Sequence, residues 1–341
     1  MAKKEKLLIV RMDKLGDLVL SLPVDQAPVA KACQVTWLIS QGTGFIAQNA
    51  VPERSFYELE KKFSWRNLKT LVLWLKTQKF SNAVVLYAPW WIGFALCLAA
   101  VPYRVGRRSR WHSYLFFNHG VRQSRKHGER HETDDNLSLF QAGLDTRLPL
   151  VSSVEPLRLK APLTALSKWP LTAKNYFVVH PGMAGSSLNW PARSYAELIE
   201  QLCATANVVV TGTHADAKYL KPLNLLLQNS KHATKIIWLN ESLNSSELLT
   251  VLYQARAVIA PSTGVLHLAA SLGTLTIGLY SPLPVQRPTR WGPRGPQVAT
   301  LISPASPAEA RTNPEQAMAQ IKVAEVLNTL ERLKLSPDVT L

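Results

Sequence analysis

The chain has 341 residues, 47% of them hydrophobic, which exceeds one ordinary domain, supplies enough apolar material for two cores and excludes a disordered composition. Its 39 Lys and Arg against 23 Asp and Glu give a net charge of +16, which favours a polyanionic partner: nucleic acid, an anionic membrane face or a phosphorylated substrate. Cys33, Cys97 and Cys203 are far apart with no CxxC pair, which argues against a disulfide scaffold or a zinc site and suits a reducing cytoplasm.

The opening MAKKEKLLIVRMDK is basic, but its apolar run is too short for a signal peptide and ends in charges. KLLIVRM reads as the first strand, followed by the turn DKLGD and a helix starting near Leu18. Gly16 permits an unusual dihedral or the close approach of a ligand. Asp17 then stands at the carboxyl edge of the strand, where open α/β sheets bind ligands, as either a general base or a helix cap. A helix N-terminus and the nearby Lys14 favour the ionised carboxylate, in tension with the raised pKa that strengthens a base at neutral pH.

QVTWLIS, SNAVVLY and YRVGR read as further strands of the first half. The uncharged stretch from residue 84 to 103 is long enough to span a bilayer, but Pro89 and Pro102 break it. It divides into a strand, NAVVLYAP, and a buried helix, WWIGFALCLAA. Residues 103 to 131 then hold eight Arg or Lys, including Arg107, Arg108 and Arg110, against the single acid Glu129. With Trp111, Tyr114, Phe116 and Phe117 interleaved, this stretch suits a phosphorylated glycolipid or an anionic bilayer surface; the alternative is a solvated loop with an aromatic anchor. The pair Asp134 and Asp135 lacks the spacing and preceding strand of a metal motif and reads as a helix start, so no metal site is expected.

APLTALSKWPLTAKN, residues 161 to 175, reads as a linker, dividing the chain into domains at residues 1–165 and 172–312. In the second half NYFVVHPG, ANVVVTG, TKIIWL, AVIAPS and LTIGLYS are strand candidates alternating with helices, the signature of parallel α/β layers. A strand ends at His180, and Gly182, Gly185, Ser186 and Ser187 follow as a loop that can cradle an anion, although it is not a Walker sequence. Asp216 follows the Gly212 turn, placed to accept from a ribose hydroxyl or to cap a helix. Ser262, Thr263 and Gly264 join a strand to a helix start, an anion site by geometry and dipole; His267 on that helix is a site residue or a packing histidine. Residues 313–335 read as one final helix, with Asn313, Pro314 and Gln316 at N-cap, N1 and N3, expected to pack back on the first domain.

Taken in order, LLIVRMDKLGDLVLSLP, HPGMAGSSLNWP, VVVTGTHAD and AVIAPSTGVLHLAASLGTLTIGLYSP resemble the heptosyltransferase family of lipopolysaccharide synthesis, glycosyltransferase family 9. The resemblance runs from about residue 6 to residue 282 and is most distinctive in its last block. It implies a GT-B architecture, with two Rossmann-like domains facing a cleft, the acceptor on the N-terminal side and the nucleotide on the C-terminal side. It implies an inverting transfer of heptose, or a related sugar, from an ADP-activated donor to the inner core of lipid A, with no obligatory cofactor. The family's catalytic aspartate falls on Asp17, and its donor-binding positions on His180, Gly182, Ser186, Ser187, Asp216, Ser262, Thr263, Gly264 and His267. Lys14, Gly16, Arg107, Arg108 and Arg110 fall on the acceptor or membrane side. The expected setting is cytoplasmic and peripheral to the anionic inner membrane.

Two positions depart from the family pattern. Ser262 stands where many members have Asp, and Leu188 where many have Lys two residues before Trp190. Both alter how sugar and phosphates are held and keep open a second reading, a nucleotide-sugar-binding paralogue with lost or altered transfer. A nucleic-acid binder is disfavoured, since no helix-turn-helix, zinc finger or RNA-binding signature is present. A nicotinamide enzyme is disfavoured too, because no GxGxxG follows the first strand.

Overall fold

In the computed structural model the described residues are 4–144, 148–164, 166–183, 185 and 187–334. They form two compact units: residues up to Lys126 with Arg130–Leu157, and His127–Glu129 with the chain from Arg158 onward. Each unit is built on one parallel sheet of six strands.

In the first unit the strands are β1 (Lys6–Arg11), β2 (Gln34–Ser40), β3 (Phe56–Leu59), β4 (Asn82–Tyr87), β5 (Tyr103–Arg107) and β6 (His119–Val121). Their spatial order is β3-β2-β1-β4-β5-β6, so the chain turns outward in opposite directions on either side of the β1/β4 pair. In the second unit β7 (Tyr176–Val179), β8 (Asn207–Gly212), β9 (Ile236–Asn240), β10 (Ala257–Pro261), β11 (Thr276–Tyr280) and β12 (Val298–Ile302) are ordered β12-β11-β10-β7-β8-β9. The same reversal falls there between β7 and β10. A crevice opens beyond the carboxyl ends of the strands at such a reversal, because the two flanking loops leave in opposite directions.

Both sheets are covered by helices on each face, so their central strands read as unbroken apolar runs. All of YFVV in β7 and AVIAP in β10 is buried. Helix Trp65–Gln78 shows the complementary pattern: Leu68, Leu71 and Leu75 recur on one buried face. Ser64 Oγ caps its start by accepting from Asn67 N–H at 3.0 Å.

Strands β3, β6 and β12 escape a reading of sequence pattern. All three are edge strands, short or half-buried, and their apolar signal is correspondingly thin. The stretch from residue 84 to 103 does resolve into β4 and helix Trp90–Leu98. Among the described residues no helix is long and apolar enough to cross a membrane.

Two boundaries differ from the sequence expectation. The segment taken as a linker is tied to the second unit. Lys174 N–H donates to Gln254 O at 2.7 Å, and Thr164 Oγ1–H donates to Thr250 Oγ1 at 2.9 Å. The expected final helix is two helices, Pro314–Met318 and Val323–Lys334. Asn313 sits at the N-cap of the first without a capping bond from its side chain. The break is held by tertiary partners: Trp190 Nε1–H donates to Ile321 O at 3.0 Å, and Ser303 Oγ–H to Ala317 O at 2.6 Å. The apolar face expected to pack back on the first domain lies in the second unit's own core, where Val323, Val326 and Leu330 are buried.

Candidate active site

In the first unit, the turn after β1 starts its helix earlier than expected, at Leu15, with Lys14 as an exposed N-cap. Gly16 is inside that helix, buried, with an ordinary helical backbone. Asp17 is therefore a first-turn residue, and its side chain does not cap the helix. Its Oδ1 accepts from Arg11 Nη2 at 2.5 Å. Arg11 is the last residue of β1 and is 3% exposed.

Arg11 joins a wider buried network. Its Nη1 donates to Glu132 Oε1 at 3.0 Å, and Arg125 Nη1 donates to the same oxygen at 2.6 Å. Asn136 Oδ1 accepts from Arg125 at 3.0 Å, while Asn136 Nδ2 donates to Ser21 Oγ at 3.0 Å. The buried Arg11 and Arg125 guanidiniums thus face Asp13, Asp17, Glu132 and Asp135 within 4 Å, and this opposite charge makes burying them tolerable. Glu132 opens helix Glu132–Gly143, so the acidic stretch containing Asp134 and Asp135 is a helix start, as its sequence suggested.

Burial pushes the Asp17 carboxyl above the ordinary carboxylate range; Arg11 pulls it down, while Asp13 and Glu132 push it up. Desolvation outweighs the attractive charge, leaving a carboxylate of increased basicity beside a positioning cation.

The carboxyl ends of β4 and β5 carry a cavity of about 320 Å³. Lys61, Tyr87, Trp90, Arg107, Arg110 and His112 contribute its cationic and aromatic lining. Lys61 Nζ lies 5.3 Å from the Tyr87 ring centre and 3.6 Å from Asp13 Oδ1; Arg11 lies 5.8 Å from the same ring. The cavity is thereby linked to the Asp17 network through shared side chains. Burial and the neighbouring Arg110 lower the pKa of His112, so its imidazole is neutral at pH 7. Arg108 is not in this lining; its side chain lies over Gly120 and near the Tyr114 ring.

In the second unit, His180 follows β7 and is buried, with Nδ1 3.0 Å from Thr211 Oγ1. Burial lowers its pKa to about 4, against the pull of Asp216, so the ring is neutral at pH 7. Asp216 is buried, and its Oδ2 accepts from Thr213 N–H at 3.0 Å and Thr213 Oγ1–H at 2.6 Å. Asp216 is the N-cap residue of helix Ala217–Leu227 but makes no side-chain cap there; its carboxylate reaches back to Thr213 instead. Gly182 is needed because a Cβ there would collide with the Asp216 carboxyl. Gly185 adopts a φ of 74°, in the left-handed region that favours glycine. Ser186 lies outside the described residues.

The rest of the loop is anchored. Ser187 Oγ–H and Leu188 N–H both donate to Gln286 Oε1, at 3.3 and 3.2 Å. Asn189 Nδ2 donates to Pro181 O at 2.7 Å. Beyond β10, Ser262 and Thr263 are half-buried and lead into helix Gly264–Ser271, whose N-cap Thr263 makes no side-chain cap. The Tyr280 hydroxyl nearby donates to Trp291 O at 2.6 Å. His267 is buried on that helix. His180 and Ser262–Gly264 thus flank the β7/β10 reversal, where a helix start and small side chains suit a diphosphate.

Sequence reasoning missed Arg11, Glu132, Arg125, Asn136, Lys61 and Tyr87. A charged residue closing an otherwise apolar strand was the available signal for Arg11. None existed for Lys61, which follows the unforeseen β3.

Comparison with known proteins identifies the family and the fold. The sequence model of glycosyltransferase family 9 (heptosyltransferase) matches residues 75–320. A "Putative glycosyltransferase" of Haemophilus influenzae is 28% identical over 309 residues, covering 85% of this chain and 86% of that one. A family 9 glycosyl transferase from Veillonella parvula superposes with a TM-score of 0.78 at 18% identity, over 98% of both chains. ADP-heptose lps heptosyltransferase II of E. coli gives 0.74 at 18% identity, over 97% of this chain and 98% of that one. E. coli heptosyltransferase WaaC with ADP gives 0.69 at 17%, over 96% and 99%. At these identities the structural likeness is one of fold, the two-domain α/β GT-B fold. With a match over well more than half its length, the chain belongs to glycosyltransferase family 9, the heptosyltransferase family.

Proposed function

We propose that the chain is an inverting glycosyltransferase that moves heptose, or a related sugar, from an ADP-activated donor to the lipopolysaccharide inner core, peripheral to an anionic membrane in the cytoplasm. The observation that carries this reading is Asp17: a carboxylate made more basic by burial, gripped by Arg11, at the β1/β4 reversal and linked to a basic, aromatic cavity. Asp17 takes the proton of the acceptor hydroxyl as that oxygen bonds to the anomeric carbon. The bond from that carbon to the nucleoside diphosphate breaks on the opposite face. Lys61, Arg107 and Arg110 are the groups that would receive anionic substituents of the acceptor core.

For the donor, backbone N–H groups at Gly264 and the loop after His180 offset the charge that develops on the leaving diphosphate. His180 and Asp216 shape that loop; the ADP bound to the E. coli relative WaaC supports an adenosine diphosphate ligand here. Replacing Asp17 by Asn in a transfer assay with ADP-heptose and a heptose-deficient core should lower kcat roughly 10²- to 10⁴-fold, with ADP affinity retained. Undiminished turnover in the folded variant would falsify the base assignment.

The second reading, a nucleotide-sugar-binding paralogue, draws on two observations. Leu188 packs against the second unit's core, and Ser262 brings a hydroxyl rather than a carboxylate to the start of helix Gly264–Ser271. ADP binding by the wild-type chain without turnover on any core acceptor would select it.

A further inference from the structure

We propose that the outward face of helix Trp111–Phe116 is the segment by which the protein docks on an anionic bilayer. This rests on the reading that the acceptor is lipid-borne, and it names the surface that delivers it. The helix has two faces with different fates. His112 and Ser113, with Arg110 before them, line the 320 Å³ cavity. Trp111, Tyr114 and Leu115 point away and are 76%, 54% and 66% exposed. Tyr114 meets Arg108 and Trp111 meets His112, yet all three side chains remain largely in water within five residues.

The helix is held firmly enough to present them. Ser113 is buried, and its Oγ–H donates to Arg110 O at 2.5 Å. Phe116 packs against Gly93 and Phe94, and Phe117 lies against Gly106. Arg104 closes the carboxyl end, donating from Nε to Phe116 O at 2.9 Å.

Charge selects the occupant. From Tyr103 to Gly128 the sequence contains no Asp or Glu, and Arg110, Arg122 and Lys126 are exposed within it. A second copy of the chain would bring this cationic segment against its own image, whereas anionic headgroups complement it. Tryptophan and tyrosine prefer the headgroup level, where an apolar ring meets a wet edge, and leucine reaches the acyl boundary. Short apolar insertion is weak alone, so binding should need both the apolar residues and the basic ones. One consequence is economy of diffusion: the face of the helix opposite the anchor already lines the cavity proposed for the acceptor.

The test is co-sedimentation of the full chain with vesicles of phosphatidylcholine alone or mixed with phosphatidylglycerol. Wild type should bind the anionic vesicles and lose binding as salt rises. The double variant Trp111→Ala, Leu115→Ala should bind roughly tenfold more weakly. Leu115→Lys should be defective too, despite its added charge, and Leu225→Ala, on an exposed site of the second unit, should bind as wild type. Transfer to a water-soluble, delipidated core fragment should be unchanged in the double variant. Equal partitioning of wild type and double variant overturns the docking surface while leaving the transfer reaction standing. Failure of wild type to bind anionic vesicles overturns it as well. So does a concentration-dependent dimer that the double variant abolishes, since a second copy is then the occupant.

Discussion

Arg11 is always charged and bears on the protonation of Asp17, and this pair determines how a pH titration of activity must behave. Asp17 is raised by burial and held back by Arg11, so the acid limb of kcat/KM should lie above the ordinary carboxylate range. The sign for an Arg11→Met variant follows directly. Removing the guanidinium removes the influence that lowers the Asp17 pKa, so the limb should move to higher pH. Glu132 keeps Arg125 as a partner, which preserves the rest of the network. A limb that stays fixed, or moves down, in a pH–rate profile means Asp17 is not the titrating base. Asp17 itself was legible in the sequence because a glycine-flanked carboxylate after an apolar run is a local pattern. Its partner Glu132 was not, since the two meet only through Arg11, and Arg11 and Glu132 are 121 residues apart in the chain.

At the scale of elements, the C-terminal helix Val323–Lys334 is informative because its amphipathic pattern was readable and its docking site was not. Periodicity marks Val323, Val326 and Leu330 as one face, but any complementary apolar surface could receive it. The structure supplies that surface in the core formed with helix Ala192–Cys203 and β11. Leu330→Ala should therefore cost about 2–4 kcal/mol in denaturant unfolding, because Leu330 is 2% exposed and its removal leaves a cavity. Leu225→Ala, on an exposed helical site, should stay within about 0.5 kcal/mol. A small effect at Leu330 would show that the helix is peripheral to the second unit's stability. The same contrast explains the unforeseen strands. β3, β6 and β12 are strands because a neighbouring edge offers them hydrogen bonds, and their own residues signal this only faintly.

For the whole molecule, each unit has its own sheet, its own core and its own reversal of strand order. Chemistry can then be divided between them, with the base and acceptor groups on one and the donor groups on the other. The division predicts where ligand protection appears. With ADP near saturation, hydrogen exchange should slow in the loop after His180, around Thr211–Asp216 and at the start of helix Gly264–Ser271. The Asp17 turn should keep its unliganded rate. At roughly a hundredfold excess over Kd the second unit should gain about 2.7 kcal/mol of apparent stability. Protection confined to the first unit would reverse the assignment of donor and acceptor halves.

By itself the sequence determined that the chain is built of parallel α/β layers, where most central strands run, and which turns carry small and acidic residues at strand ends. These are local or periodic properties, and burial of a strand or helix face writes them directly into residue spacing. Only the tertiary structure decided that Asp17 and Glu132 share Arg11 while Arg125 holds Glu132, that Asp216 closes its own turn against Gly182, and that Lys61 and Tyr87 join Arg107 and Arg110 around one cavity. Those groupings depend on strand order, which brings distant segments side by side at a sheet edge, and strand order leaves no period in the chain.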